Sequence, residues 1–185
     1  MQRPMSCLVW NCREVGNQRT IQDLMGIVRS QDPKIVFLIE TWSNEKRMEV
    51  LRCQLKFNSK LVVSTRGRGG GLCLLWQDEV NLSIRSFSPS HIDAIVNNGD
   101  NNCWRFTRFY EAPDHNHREE SWNLLRTLHH QYQLPWLCAE DFNEITKNIE
   151  KQGRLPRPEK QMELFREALD ECELMDLSYR GAPYT

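Results

Sequence analysis

The chain has 185 residues, 39% hydrophobic, 26% charged and 9% aromatic, and its 24 basic and 25 acidic side chains leave a formal charge of -1. That length suits one domain over residues 1–185, able to fold around its own core without a disulfide or metal staple. The composition excludes collagen, coiled coil, low-complexity disorder and a disulfide scaffold, and the charge balance excludes a basic footprint over the whole surface. No run approaches the roughly 18 apolar residues of a membrane span. No apolar signal core follows Met1-Gln2-Arg3-Pro4. The cysteines at 7, 12, 53, 73, 103, 138 and 172 are scattered and form no C-x-x-C pair. They read as reduced core thiols of an intracellular protein, nuclear or cytoplasmic.

Residues 6–11 have a strand pattern that ends on Asn11. Residues 20–30 place Ile21, Leu24, Met25 and Val28 on one helical face, and Asp32-Pro33 stops that helix. Residues 34–40 are a continuous apolar strand that ends on Glu40. Residues 44–55 read as a helix with Met48, Leu51 and Leu55 on one side. A short strand at 61–64 is followed by a glycine-rich turn at 66–71 and a strand at 72–76. Further strands are expected at 80–87, 91–96 and 103–110. Residues 118–131 read as a helix facing inward through Trp122, Leu125 and Leu128. A strand at 134–140 precedes Asp141 and Asn143, and residues 159–172 form an amphipathic helix through Met162, Phe165, Leu169 and Cys172. The tail at 174–177 is expected to add one short strand. Helices alternating with strands early and successive strands later predict an α/β layered domain with a sheet that is not purely parallel.

Three of these strands end in groups suited to chemistry: Asn11, Glu40, and Asp141 with Asn143. Strand ends in a layered α/β fold meet on one rim, where loops build sites, so these four residues are expected to converge in one cleft. Glu40 is a hard oxygen ligand of the kind Mg²⁺ prefers. The amides of Asn11 and Asn143 can donate to phosphate oxygens without adding negative charge.

Taken in order, Leu8-Val9-Trp10-Asn11-Cys12-Arg13, Val36-Phe37-Leu38-Ile39-Glu40-Thr41, Phe109-Tyr110 and Leu137-Cys138-Ala139-Glu140-Asp141-Phe142-Asn143-Glu144 resemble the motifs of the endonuclease/exonuclease/phosphatase superfamily. The sequence resembles most closely the apurinic-endonuclease-like domain of plant LINE-type (non-LTR) retrotransposons. The resemblance runs through Gly70-Gly71-Leu72, His91-Ile92-Asp93-Ala94, Ser121-Trp122-Asn123, Pro156-Arg157-Pro158 and Gln161-Met162, and so covers the whole chain.

The resemblance implies a four-layer sandwich of two packed β-sheets flanked by helices, with the C-terminal strands missing. It implies Mg²⁺-dependent (or Mn²⁺-dependent) hydrolysis of a DNA phosphodiester, nicking target DNA beside a reverse transcriptase domain of the full-length element. DNA is the partner it implies; a monomer without membrane association is expected beside it. Carried onto this chain, Glu40 would hold the metal with Asn11 beside it. Asp141 would orient or deprotonate the attacking water, and Asn143 and Tyr110 would contact the scissile phosphate. Arg68, Arg108 and Thr185 are the expected substrate contacts. Arg66, Arg68, Arg105 and Arg108 are weighed as a DNA-facing patch, as are Lys151, Arg154, Arg157 and Lys160, against ordinary surface charge.

The sequence departs from the motifs at Glu140 and Glu14, where glycine is usual, and at Arg108 and Glu111, where small residues are usual. The family domain also continues past Thr185 to a terminal Ser-Asp-His run, so weak or absent activity is expected of this chain. Two rivals stand beside the endonuclease reading: a non-catalytic remnant that binds nucleic acid or a partner, and a phosphatase of the same superfamily acting on a small phosphoester. The glycine run at 67–71 lacks the Lys-Ser/Thr of a phosphate-binding P-loop and reads as a turn. His115 and His117, at i and i+2, do not share a helical face and read as part of a solvated loop.

Overall fold

The computed structural model describes residues 5–13, 15–64, 70–110, 118–141, 144–150 and 155–178, with backbone alone at Tyr110, Arg118, Glu140 and Asp141. The order of elements is β1 (Cys7–Asn11), α1 (Gln18–Gln31), β2 (Ile35–Ile39), α2 (Glu45–Leu55), β3 (Ser59–Val63), β4 (Leu72–Trp76), β5 (Leu82–Ser88), β6 (His91–Val96), β7 (Trp104–Tyr110), α3 (Arg118–His129), β8 (Trp136–Asp141) and α4 (Glu159–Glu171). A short 3₁₀ turn at Asn148–Glu150 precedes α4. The strands form two four-stranded sheets, in the orders β1-β2-β4-β3 and β5-β6-β7-β8. By its internal packing the chain divides into two compact units, Met1–Tyr110 with Leu134–Glu140 and Glu111–Gln133 with Asp141–Thr185.

In the first unit β2 is buried at all five positions, as its unbroken Ile-Val-Phe-Leu-Ile run requires of a strand covered on both faces. It pairs parallel with β1 and antiparallel with β4. Val36 and Leu38 on one face meet Leu24 of α1 and Met48, Leu51 and Leu55 of α2. Ile35, Phe37 and Ile39 on the other face meet Ile92, Val96 and Phe106 of the second sheet. Phe37 and Phe106 lie edge to face across that seam, with ring centroids 6.1 Å apart. The helices begin and end by local chemistry. Asn17 and Asn44 cap α1 and α2 with side-chain oxygens, and Asp32 and Lys56 close them in left-handed conformations.

The second sheet departs from simple alternation at β5. Ile84 pairs with Ala94 and Ser86 with Asp93, so Arg85 is the extra residue of a bulge. The bulge lets Leu82 and Ile84 face the sandwich while Ser86 and Ser88 share the opposite face with His91. Their hydroxyls lie 2.9 Å from Nε2 and 2.8 Å from Nδ1 of His91. The same face carries Asp93, Arg105 and Thr107, each essentially unexposed. Arg105 donates to Asp93 through Nε at 2.8 Å and through its second terminal nitrogen at 3.0 Å. Thr107 also donates to Asp93, and Trp136 Nε1 donates to Thr107 at 2.7 Å. The guanidinium lies over the Trp136 ring, 4.9 Å from its centroid. Three strands are therefore tied together by one polar network.

Burial pushes the His91 imidazole below its ordinary range, with Asp93 pulling it back up and Arg105 opposing. The unfolded chain then binds the proton more readily than the folded one. The stability this buried neutral ring supplies is complete above about pH 6.5 and is lost as pH falls below that value toward the lower folded value, at up to about 1.4 kcal/mol per pH unit. Urea unfolding at pH 7.5 and 5.5 is expected to show a larger acid loss in the wild type than in His91→Gln. Equal losses would contradict the assignment.

In the second unit α3 packs on α4 through Trp122 and Phe165, stacked 4.9 Å apart. Arg126 of α3 pairs with Glu171 of α4. Within the same unit Arg157 pairs at 2.9 Å with Glu144, whose side chain is only 1% exposed, so this arginine is engaged within the fold and not held in an open basic patch.

Three expectations are corrected. Residues 174–177 form no strand: Glu173 turns left-handed at φ 54, Leu174 N–H closes back on Leu169, and Met175 and Leu177 are exposed. Cys53 is an exposed thiol on α2, not a core one. The other cysteines are at least half-buried, and burial raises Cys7 and Cys172 to about 11 and Cys12 to about 12. Arg105 and Arg108 are 1% and 2% exposed, so they do not form an open DNA-facing patch. Strand alternation places Arg105 with Asp93 and puts Arg108 opposite Ile92.

Candidate active site

The parallel pairing of β1 and β2 sets Asn11 opposite Ile39, so Glu40 follows directly beside the end of β1. Cys12 N–H donates to the Ile39 carbonyl at 3.1 Å and holds the two strand ends together. β4 starts at the same end, because Leu72 pairs with Ile39. The far end of β4 leads through five residues to β5, whose start pairs with the end of β6. That short link brings the far ends of the two sheets together. The ends of β5 and β7 and the start of β6 therefore fall on the rim that carries Asn11 and Glu40.

The backbone at this rim is unusual. Arg13, Glu40 and Trp42 adopt left-handed conformations with φ of 38, 52 and 44. Non-glycine residues avoid this region, and such conformations concentrate at functional sites. The strain is held in place by the neighbouring loop. Thr41 N–H donates to the Gly71 carbonyl at 3.2 Å, Trp42 N–H to the Gly70 carbonyl at 3.1 Å, and Val15 N–H to the Thr41 carbonyl at 3.0 Å. Gly71 has φ 91, and a Cβ there would stand 2.6 Å from Thr41 Oγ1. The glycine is thus required both by its backbone and by the close approach of Thr41. Thr41 and Ser43 each bury a hydroxyl that has no hydrogen-bond partner among the described residues.

Asn11 Oδ1 accepts from Arg13 N–H at 3.3 Å. This fixes the amide while leaving its second lone pair and its NH₂ group for a ligand. Among the described residues no cluster of three His, Cys, Asp or Glu side chains stands ready to hold a metal. Mg²⁺ does not require one: it keeps several waters and takes one or two carboxylates together with substrate phosphate oxygens. A carboxylate at Glu40 and an amide oxygen at Asn11, carried on adjoining strand ends, are hard donors that fit that demand. Sulfur offers no competition, since Cys12 is buried with its thiol donating to the Ile39 carbonyl at 3.0 Å.

Of the residues expected to form the site, Asn11 and Glu40 are brought together. Tyr110 ends β7 and Asp141 ends β8, while their side chains lie outside the described residues. Asn143, Arg68 and Thr185 also lie outside them, as do Glu14, Glu111, His115 and His117. Sequence reasoning missed Thr41, Gly71 and Trp42 as parts of the rim. The signal available was the glycine pair preceding an apolar strand.

No protein-family profile matches the sequence, and no curated protein matches it. Solved structures do match the fold. An AP endonuclease from Archaeoglobus fulgidus aligns with TM-score 0.64 at 14% identity, over 92% of this chain and 70% of its own. The endonuclease domain of TRAS1, a telomere-specific non-LTR retrotransposon, aligns with TM-score 0.67 at 12% identity, over 96% and 74%. The Neisseria 3′ phosphatase NExo, solved with a product DNA hairpin, aligns with TM-score 0.64 at 14% identity, over 91% and 71%. The chain has the α/β fold of AP-endonuclease-like proteins, with two four-stranded sheets and four α-helices among the described residues. No described helix is long and apolar enough to cross a membrane.

Proposed function

We propose that this chain is a metal-dependent phosphodiesterase domain acting on DNA, of the type that nicks target DNA for a non-LTR retrotransposon. The observation that carries the reading is the Asn11–Glu40 pair at the joined ends of β1 and β2, set in a left-handed backbone stretch pinned by the Gly70–Gly71 loop. The ordered motifs and the likeness to the TRAS1 endonuclease domain support the retroelement assignment. A partner reverse transcriptase domain follows from that assignment.

Glu40 and Asn11 would hold Mg²⁺, which when bound neutralises charge on the phosphate and polarises it toward attack. The chain's own groups do the rest. Asp141, as a carboxylate, orients the attacking water and accepts its proton. Asn143 and Tyr110 donate to non-bridging phosphate oxygens, where charge grows in the transition state. The nucleophile's oxygen bonds to phosphorus as the bond to the leaving oxygen breaks.

Supercoiled plasmid incubated with the protein and Mg²⁺ is expected to convert slowly to nicked circle. EDTA should abolish the conversion, and Asp141→Asn should lower it by about 100-fold or more. Nicking that is unchanged in Asp141→Asn, or that persists in EDTA, would overturn the reading.

A further inference from the structure

Trp42 is 51% exposed, two residues beyond Glu40, with its backbone held left-handed at φ 44. A single exposed apolar side chain ordinarily needs no explanation. This one differs in its cost. Left-handed backbone costs an L-residue roughly 1–2 kcal/mol, and bulky residues avoid it most. The strained peptide is nonetheless pinned by the Trp42 N–H bond to Gly70, flanked by the Thr41 bond to Gly71. The outcome is a half-exposed indole carried on a backbone fixed two residues beyond Glu40. Phe87, near the rim end of β5, is 58% exposed as well, although its register in the sheet faces the sandwich. Both exposed aromatics therefore belong to the rim that carries the proposed metal pair.

We propose that Trp42 is a nucleobase-stacking residue, and that the preferred substrate presents an unpaired or unstacked base next to the scissile phosphate. The inference rests on the DNA phosphodiesterase reading and specifies its substrate. An indole offers a flat π-face, and bases inside a regular duplex have both faces occupied by their neighbours. A base freed by a gap, a frayed end or an unstacked step has a face to give. Stacking on an aromatic side chain is worth about 1–3 kcal/mol per base and tolerates any base identity. Trp42 would select substrate by local strand structure and not by sequence.

The test is fluorescence anisotropy with two labelled DNAs in EDTA, so that nothing is cut: a duplex with a short single-stranded gap, and the same duplex fully paired. Trp42→Ala and Trp42→Phe both keep a Cβ, so neither relieves the backbone strain, and thermal melts of both should match the wild type. Trp42→Ala is expected to weaken binding to the gapped DNA about 5- to 150-fold while changing the paired duplex less than about twofold. Trp42→Phe should recover most of the loss. Equal binding of gapped DNA by wild type and Trp42→Ala, or equal losses on both DNAs, would overturn the stacking assignment while leaving the DNA reading intact. A wild type that binds neither DNA would overturn both.

Discussion

Replacing Asp93 with alanine is expected to cost about 3–5 kcal/mol, more than any surface change. Asp93 is fully buried and receives two bonds from the Arg105 guanidinium and one from Thr107. Without it a cation that is 1% exposed keeps its position over the Trp136 ring but loses the carboxylate that accepts two of its hydrogen bonds. Removing one partner of a buried pair costs far more than the pair itself contributes, because the survivor's desolvation is no longer offset. The double variant Asp93→Leu with Arg105→Met should recover much of the loss. Urea denaturation of wild type, single and double variants reads this directly. An Asp93→Ala loss below about 1 kcal/mol would show that the guanidinium finds water or another acceptor.

Replacing Glu40 with glutamine is expected to weaken Mg²⁺ binding by at least about 100-fold, and nicking with it. The variant keeps the side chain's length and one oxygen but removes the charge. A full charge next to a divalent ion is worth several kcal/mol even at an effective dielectric constant of about 20. The amide of Asn11 cannot replace it. Calorimetric titration with MgCl₂ at fixed ionic strength measures the change, and equal affinity in the two proteins would remove Glu40 from the site. Because glutamine adopts the left-handed backbone no more easily than glutamate, the fold at φ 52 should be unaffected.

Much of this architecture was legible because burial writes itself into the sequence. β2 and β4 are unbroken apolar runs, and both are covered on two faces. The helices α1, α2 and α4 present their buried residues at helical spacing, with asparagine caps ahead of the first two. Strand ends closed by polar residues located the Asn11–Glu40 pair. What escaped notice depends on neighbours distant in the chain. Arg105 looks like a surface cation until Asp93 stands opposite its face across the β6–β7 ladder. Trp42 gains its place at the rim only when Thr41, Gly70 and Gly71 fix its backbone. The apolar residues at 174–177 read as a strand only while nothing turns the chain at Glu173. The bulge at Arg85 is invisible to any count of alternation, since it works by breaking it.

That bulge also shapes the edge that β5 presents. β5 is an outer strand of its sheet, and an outer strand with a regular ladder offers free N–H and C=O groups to any extended chain it meets. At β5 the offer is interrupted halfway: the extra residue shifts the spacing of those groups, kinks the strand, and puts an exposed arginine at the break. A second strand arriving from another copy would lose register after two or three residues and meet a charge. The irregularity that sets Ser86 under His91 thus also makes the outer edge of β5 a poor template for a further strand.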